Sequence, residues 1–420
     1  MDDKLYEQAN PVSKTAVATL FQLAAAGYEK SEEILKRLDF RKEEYSWSLG
    51  KKDELEKTCM VANRESRYVA LNNAVLQSGC DIVFDLPCGF VHRAFDMIEN
   101  GKTYVGGDLP EVIRSVQPVI DDMLSPAQKA KVRFSEVDVT NYPSMTDALQ
   151  GLKGPVCVCT EGLFVYLNTS EKQTVIQNVY RLLRERGGCW ITVDPETLAR
   201  HLAVYSAIAG DRAAEFLSDE MKGFSGESGI DVTGRSSPFL RKKGGNSEKA
   251  NSSESEQEFT QNGFLVEKIP FVTGTYELRS FSFLQPDVIE KLKKNLSHVH
   301  LWKFTVNPDF VSDETQDSGE AFRLKAETGE HTLRFVVSGR LDSLSAPLLL
   351  KAWDEKRSSM DIRKAEIDCG NLEYISSAGL RVLLMISKSL TEGPLVLCHT
   401  KPEVREILTT TGFADLFQLE

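Results

Sequence analysis

The chain has 420 residues, 41% of them hydrophobic and 27% charged, with a formal net charge of -12 at pH 7. That length suits two or perhaps three domains with proper cores, and the hydrophobic share excludes disorder throughout. The acidic balance argues against a nucleic-acid scaffold, because phosphate binding demands a basic surface.

The chain opens with no basic region followed by an apolar core, and no apolar run of roughly eighteen residues occurs anywhere, so no membrane partner is predicted and the expectation is a soluble, cytoplasmic protein. The eight cysteines fall mostly in apolar runs, without a C-x-x-C pair or a neighbouring His pair. They read as reduced core thiols, and no metal is expected. Cys157 and Cys159, two apart in one strand, are the weak case for a metal.

Residues 1–80 carry apolar residues at three-and-four spacing in SKTAVATLFQLAAAGY, EKSEEILKRL and ELEKTCMVANRESRYVALNNAVLQSG, which predicts three helices. Helices ahead of a first strand can fold over the carboxyl edge of the sheet as a lid, bringing Arg67 and Tyr68 to a bound ligand. A plain surface arginine is the alternative. The stretch IVFDLPCGFVHRAFDMIENGKTYVGGDLPE then reads as a strand from Ile82 to Leu86, a turn through Pro87, Cys88 and Gly89, a helix to about Asn100, and a strand from Thr103 to Asp108. This is a βαβ nucleotide-binding pattern. Gly89 lets the backbone approach a ligand, and the Asp108 carboxylate can accept both hydroxyls of a ribose. One glycine and no basic residue in the turn leave little to cradle a pyrophosphate, which favours a ribose without phosphates, and S-adenosylmethionine is the expected cofactor. The competing reading is a buried βαβ unit of some other α/β protein.

The alternation continues through a helix from Pro110 to Met123, a strand ending in Asp138, a short helix, a strand ending in Glu161, a helix from Ser170 to Arg186 and the strand CWITVDP. An α/β fold follows, with a mainly parallel sheet and helices on both faces. Asp85, Asp108, Asp138, Glu161 and Asp194 all fall at carboxyl ends of strands, where open α/β sheets bind ligands. Ordinary turn chemistry explains any one of them. Residues 222–258 turn to Gly, Ser, Asn and Glu around a basic cluster, Arg241, Lys242 and Lys243, and read as a mobile insertion ahead of the hairpin-like pair FLVEKIPF and VHLWKFTV.

The runs RESRY, VFDLPCGFVHRAF, GGDLPEVI, VDVTNY, CTEGLFVYL and GCWITVDPET resemble, in order and spacing, the leucine carboxyl methyltransferase-like class I methyltransferases. The resemblance covers about residues 10–305 and implies a Rossmann-like, mainly parallel seven-stranded sheet. It also implies that Arg67, Asp85, Gly89, Asp108, Asp138, Val139 and Glu161 belong to an S-adenosylmethionine site, with Asp138 and Val139 beside the adenine. Pro87 replaces the family's first loop glycine, Val91 and His92 replace an acid and a small polar residue, and Gly106 replaces an acid. A carboxylate acceptor, on a small molecule or a protein, needs no general base; a phenol or alcohol would look to Tyr166, His201 or Glu161. Arg200 is a candidate for holding an acceptor carboxylate, and catalytic residues are otherwise unassigned.

Residues 306–321 are acidic and polar and read as a linker. From 322 to 420, TLRFVVSG, KAEIDCGNLEYIS and PLVLCH read as strands, APLLLKAWDEKR, SAGLRVLLMISKSLTE and PEVREILTTTG as helices, and FADLFQLE closes a compact α/β domain of four strands. NLEYISSAGLRVLL, with SGRLDSLSAPLL and LTTTGFADLFQL, resembles the STAS domains of anti-sigma-factor antagonists. That resemblance implies an anti-sigma factor or switch kinase as partner and phosphorylation at Ser377; the family's preceding aspartate is Ser376 here. Either serine can equally be a helix cap. Together the resemblances imply a methyltransferase on residues 1–305 fused to a STAS domain on 322–420. The alternative is a catalytically inactive S-adenosylmethionine sensor that signals through the STAS domain.

Overall fold

A computed structural model describes residues 11–38, 52–228, 256–274, 276–310, 322–341, 345–375, 377–410 and 412–420. Most of the expected insertion, the linker from 311 to 321, and Ser376 lie outside the described residues. The chain divides into two compact units, the first reaching Phe310 and the second running from Val311 to the end.

In the first unit, β1 (Ile82–Asp85), β2 (Thr103–Asp108), β3 (Val132–Glu136), β4 (Val156–Thr160), β5 (Gly188–Thr192), β6 (Phe264–Pro270) and β7 (His300–Val306) form one sheet in the order β3-β2-β1-β4-β5-β7-β6. β1 pairs in parallel with β2 and β4, while β7 runs antiparallel to both β5 and β6. The sequence IVFD and the sequence VCVCT are buried along their whole length, which is what central parallel strands covered on both faces require. The expected mainly parallel seven-stranded sheet is present, and the FLVEKIPF and VHLWKFTV segments do pair, as β6 and β7. From β1 the chain order runs outward through β2 and β3 on one side and through β4 and β5 on the other. The order therefore reverses between β1 and β4, and crevices at such switch points are where open α/β sheets bind ligands.

Among the described residues three helices precede the sheet, α1 (Pro11–Ala25), α2 (Glu29–Leu38) and α3 (Glu54–Leu76). The crossover after β1 differs from expectation: β1 stops at Asp85, and α4 (Arg93–Glu99) starts only at Arg93. Pro87 lacks a backbone donor and Gly89 holds φ at +57°, outside the helical region, so the chain turns from 86 to 92 before it can coil. β3 likewise ends at Glu136 rather than Asp138, whose N–H donates to Ser144 Oγ at 3.0 Å. α5 (Pro110–Met123) matches its expected bounds, α6 (Tyr142–Ala148) is the short helix, and α7 (Thr169–Arg186) starts within one residue of expectation. Not foreseen are α8 (Thr197–Ile208) and α9 (Ala213–Ser228), the latter running into what reads as insertion. α10 (Pro286–Leu296) joins β6 to β7.

Among its described residues the second unit has a five-stranded sheet, one strand more than expected, in the order β12-β11-β10-β9-β8. β8 (Arg323–Thr328) was hidden because it is an edge strand of alternating charge, RLKAET, with no buried residue. It runs antiparallel to β9 (Thr332–Leu341), whereas β9, β10 (Lys364–Ile375), β11 (Val396–Cys398) and β12 (Gln418–Leu419) are parallel. Helices α11 (Ala346–Ser359), α12 (Ser377–Ser389) and α13 (Pro402–Thr410) cover an apolar core that includes Phe335, Leu349, Trp353, Ile367, Leu383 and Leu408. On α12 the buried residues are Leu380, Val382, Leu383 and Ile386, while Leu384 is half-buried. Gly379 is required there, since a Cβ would meet the Leu341 carbonyl oxygen at 2.5 Å. All eight cysteines are free and buried.

Candidate functional site

The carboxyl edge of the first sheet gathers most of the acids singled out in the sequence, but in two separate groupings. The first is the turn after β1 against the end of β2. Asp108 Oδ2 accepts from the Gly89 N–H at 2.8 Å and Oδ1 from the Leu109 N–H at 2.7 Å. Burial outweighs these two donors and raises the Asp108 carboxyl to about 7. A Cβ on Gly89 would be in ordinary van der Waals contact with Ala16 Cβ of α1, at 3.7 Å. Asp138 and Val139 follow β3, which pairs with β2 so that Asp108 faces Glu136. The Asp138 side chain is exposed, and the Val139 carbonyl accepts from Asn178 Nδ2 at 2.9 Å.

The second grouping is an ionic cluster at the switch point between β1 and β4, and its centre is a residue the sequence did not flag. Arg93, 1% exposed, donates from Nη1 to Asp85 at 2.8 and 3.0 Å, from Nε to Asn72 Oδ1 at 2.7 Å, and from Nη2 to Glu161. Arg67 reaches down from α3 and donates from Nε to the other Glu161 oxygen. Asp85 also accepts from the Tyr104 hydroxyl at 2.8 Å and faces the Cys159 thiol at 3.3 Å. Burial opposes charge on Glu161, but the two guanidinium groups win and hold its carboxyl at about 2. Asp85, with no exposed surface, is instead raised by burial despite Arg93. Arg93 thus joins Asp85 to Glu161, Arg67 joins the cluster directly through Glu161, and both Glu161 oxygens are engaged.

The departures in the turn have visible consequences. His92 is buried between the rings of Tyr28 and Tyr68, with centroids 4.9 Å away in each case, and its Nδ1 lies 2.8 Å from Ser31 Oγ. Burial, then Lys30 and Arg93, lower the ring to about 3, so it is neutral. The imidazole thus ties the turn after β1 to Ser31 on α2 and to Tyr68 on α3. At Gly106 a Cβ would meet the Phe134 ring at 2.9 Å and Cys88 Sγ at 3.1 Å, which leaves no room for an acid.

Toward β5, Asp194 accepts from the N–H groups of Gly162, Leu163 and Phe164 at 2.7 to 3.0 Å and fixes the turn after Glu161. His201 on α8 is pushed down to about 4 by burial, and its Nδ1 lies 2.6 Å from the Thr197 carbonyl oxygen. Neither His201 nor the doubly paired Glu161 offers a basic site near neutral pH.

In the second unit, Ser377 is the first residue of α12, while its side chain and Ser376 lie outside the described residues. The unit matches a known family. Residues 323–420 match the family model described as STAS domain. A stretch of 57 residues is 51% identical to BtrV of Bordetella bronchiseptica, named as a proposed anti-sigma factor antagonist. That match covers 13% of this chain and 49% of BtrV, so the chain spans about half the length of the curated relative it matches. An anti-sigma factor antagonist from Mycobacterium paratuberculosis aligns over 24% of this chain and 85% of its own at 24% identity, with TM-score 0.22. Magnesium protoporphyrin IX methyltransferase from Synechocystis PCC 6803, solved with bound SAH, aligns over 66% of this chain and 95% of its own at 14% identity, with TM-score 0.33.

The STAS domain also holds a cluster that spacing did not reveal. Asp368, Cys398 and His399 bring ligand atoms within 4.8 Å of one another. Arg334 already donates to Asp368 Oδ2 at 2.6 Å and lies 3.2 Å from Glu366, so the cluster is an ion-paired network across β9, β10 and β11. Among the described residues, no helix is long and apolar enough to cross a membrane.

Proposed function

We propose that the first unit is an S-adenosylmethionine-dependent O-methyltransferase acting on a carboxylate, and that the STAS domain couples it to an anti-sigma factor or switch kinase. The observation that carries this reading is the bond between Asp108 and the Gly89 N–H, which joins the acid at the end of β2 to the turn after β1 beside the switch point. The residues fit an adenosine. Each Asp108 oxygen holds one backbone N–H and keeps a second lone pair for a ribose hydroxyl, Gly89 presents bare backbone beside it, and Asp138 and Val139 would flank the adenine. Glu161, Arg67, Arg93 and Asp85 act one layer below, fixing the turn, the lid helix α3 and the end of β4 with respect to one another.

S-adenosylmethionine supplies a sulfonium methyl group: an acceptor oxygen forms the new C–O bond as the S–C bond breaks, leaving a neutral thioether. The chain's task is to orient two reactants and exclude water, which contributes roughly 7–11 kcal/mol of rate acceleration in well-aligned cases. An acceptor that is already an anion matches a site where Glu161 is held by two guanidinium groups and burial makes His201 a weak base. Calorimetry with S-adenosylhomocysteine tests the binding half, and absence of heat would remove the assignment. Methyl-labelled S-adenosylmethionine offered with a panel of small carboxylates and peptide carboxyl termini tests transfer. One observation favours a second reading, a sensor without catalysis: the turn positions of the family's acid and small polar residue are filled by Val91 and a His92 locked to Ser31. Tight binding without transfer to any acceptor would select it.

A further inference from the structure

α8 begins just past the carboxyl end of β5, on the side of the switch point away from the adenosine residues on β2 and β3. It carries Arg200, 1% exposed and poorly satisfied. Nε donates to Asn63 Oδ1 at 3.1 Å, and Nη1 has no hydrogen-bond partner among the described residues. Nη2 faces His201 Nδ1 at 3.5 Å. That ring nitrogen, 2.6 Å from the Thr197 carbonyl oxygen, carries its hydrogen toward that carbonyl and has no lone pair to offer the guanidinium.

Among the described residues no carboxylate forms an ion pair with Arg200; Glu161 and Asp194 favour its charge only from a distance, and the carboxylates of this region are engaged elsewhere. Glu161 is paired with Arg67 and Arg93, Asp194 with three backbone N–H groups, and Glu220 with the Tyr205 hydroxyl and, at 3.9 Å, with Arg64. Glu65 accepts from the Tyr28 hydroxyl and from the N–H groups of Arg279 and Ser280. Burial, then the charges of Arg67 and Arg64, push Arg200 down to about 9. A buried guanidinium without a counter-ion is among the more costly arrangements in a protein. Its two open nitrogens, Nη1 and Nη2, form the end of a planar fork that matches the two oxygens of a carboxylate.

We infer that Arg200 receives the carboxylate of a bound ligand through Nη1 and Nη2, and that the ligand is the methyl acceptor. The identity of the ligand rests on the methyltransferase reading; the anion site does not. The acceptor carboxylate completes the charge that Arg200 lacks, and its ester, being neutral, loses that ion pair and is released. The methionine carboxylate of the cofactor is the other source of the same chemistry.

The test uses the full chain, with benzoate as the carboxylate probe, benzamide as its neutral isostere, and S-adenosylhomocysteine against 5′-methylthioadenosine, which lacks the amino-acid carboxylate. Wild type should prefer benzoate over benzamide, and Arg200→Met should lose roughly ten- to hundredfold in benzoate affinity while leaving S-adenosylhomocysteine binding within about twofold. If Arg200→Met instead weakens S-adenosylhomocysteine but not 5′-methylthioadenosine, the carboxylate is the cofactor's and the acceptor assignment falls. Should the methionine variant fail to fold, Asn63→Asp, which offers the guanidinium an internal carboxylate, must reduce benzoate affinity in the same direction. Benzoate preference without any S-adenosylhomocysteine binding keeps the anion site and removes the methyltransferase reading. Equal affinity for benzoate and benzamide in wild type, or affinities unchanged in both variants, makes Arg200 a structural residue.

Discussion

The two units bury different things. The first takes charge into its interior: Glu65, Arg67, Asp85, Arg93, Asp108, Asp194, Arg200 and Glu220 are all buried. In the described part of the STAS domain the only buried polar or charged residue is Ser345, and ion pairs such as Arg334 with Asp368 and Arg363 with Asp361 lie at the surface. Charge is costly to bury and is kept where it is used. The contrast assigns interior chemistry to the first unit and surface recognition to the second, and it also says where each should break.

The largest effect is expected at the centre of the ionic cluster. Arg93→Ala leaves Asp85 without its counter-ion and Glu161 with one of two, and loss of one partner of a buried pair costs about 3–5 kcal/mol. Calorimetric unfolding of the full chain should show the first unit's transition falling sharply while that of the STAS domain stays in place. A matching loss in the STAS domain, Leu383→Ala in its apolar core, should cost about 2–5 kcal/mol through cavity formation alone and lower only the second transition. If either variant moves both transitions together, the units do not unfold separately, and the division of labour drawn here loses its thermodynamic basis.

A smaller effect sharpens the same comparison at the ligand edge. Asp108→Asn should weaken S-adenosylhomocysteine by about 1.5–3 kcal/mol, the range for hydrogen bonds to a charged group. The pH dependence follows from the raised carboxyl. Burial puts Asp108 near 7, so below that pH it is protonated and less able to accept from ribose hydroxyls. Affinity should rise as pH passes upward through about 7, by up to about tenfold between pH 6 and 8, and the asparagine variant should be flat. The stability contribution has the opposite sense. A carboxyl whose folded value lies above its ordinary one stabilises the folded state at low pH, and this stabilisation fades as pH rises from about 4 through 7. A wild-type affinity that does not change between pH 6 and 8 would detach Asp108 from the ligand.

These residues also mark how far the sequence could be read. Strands and helices with strong periodicity were legible: EKSEEILKRL is α2 and Pro110–Met123 is α5. The edge strand β8 was not, because only Leu324 and Ala326 alternate with its charged residues, too short an apolar pattern to stand out. The acids at strand ends were legible because topology alone puts them on one edge. Arg93 was not, since a lone arginine entering a helix usually faces solvent, and its partners Asp85 and Glu161 come together only when β1 and β4 pair. Sequence spacing put Asp85 and Glu161 at strand ends on the same edge as Asp108 but gave no sign that both carboxylates pair with Arg93. Arg200 was named for its charge; only its orphaned Nη1 gives that charge a purpose.

The smallest expected effect lies at Ser377 in the STAS domain. Ser377 opens α12, whose first turn contains no acidic residue and whose last turn contains Lys388. The helix end there carries partial positive charge that nothing acidic in its own first turn offsets, so Ser377→Asp should stabilise the domain by about 0.3–1 kcal/mol at low ionic strength, and less as salt screens the charge. Phosphate at the same position adds about -1.5 to -2 charges with the same sign of interaction, so the fold should tolerate it and its consequence should fall on whatever docks there. Incubation with a switch kinase and ATP, followed by phosphosite mapping and pull-down of the cognate anti-sigma factor by wild type, Ser377→Ala and Ser377→Asp, separates the two. Release by Ser377→Asp without loss of stability would locate the switch at the surface, as the contrast between the units requires. Destabilisation beyond about 1 kcal/mol would mean that the serine is packed or capping rather than presented, and equal pull-down by all three would leave it a structural residue.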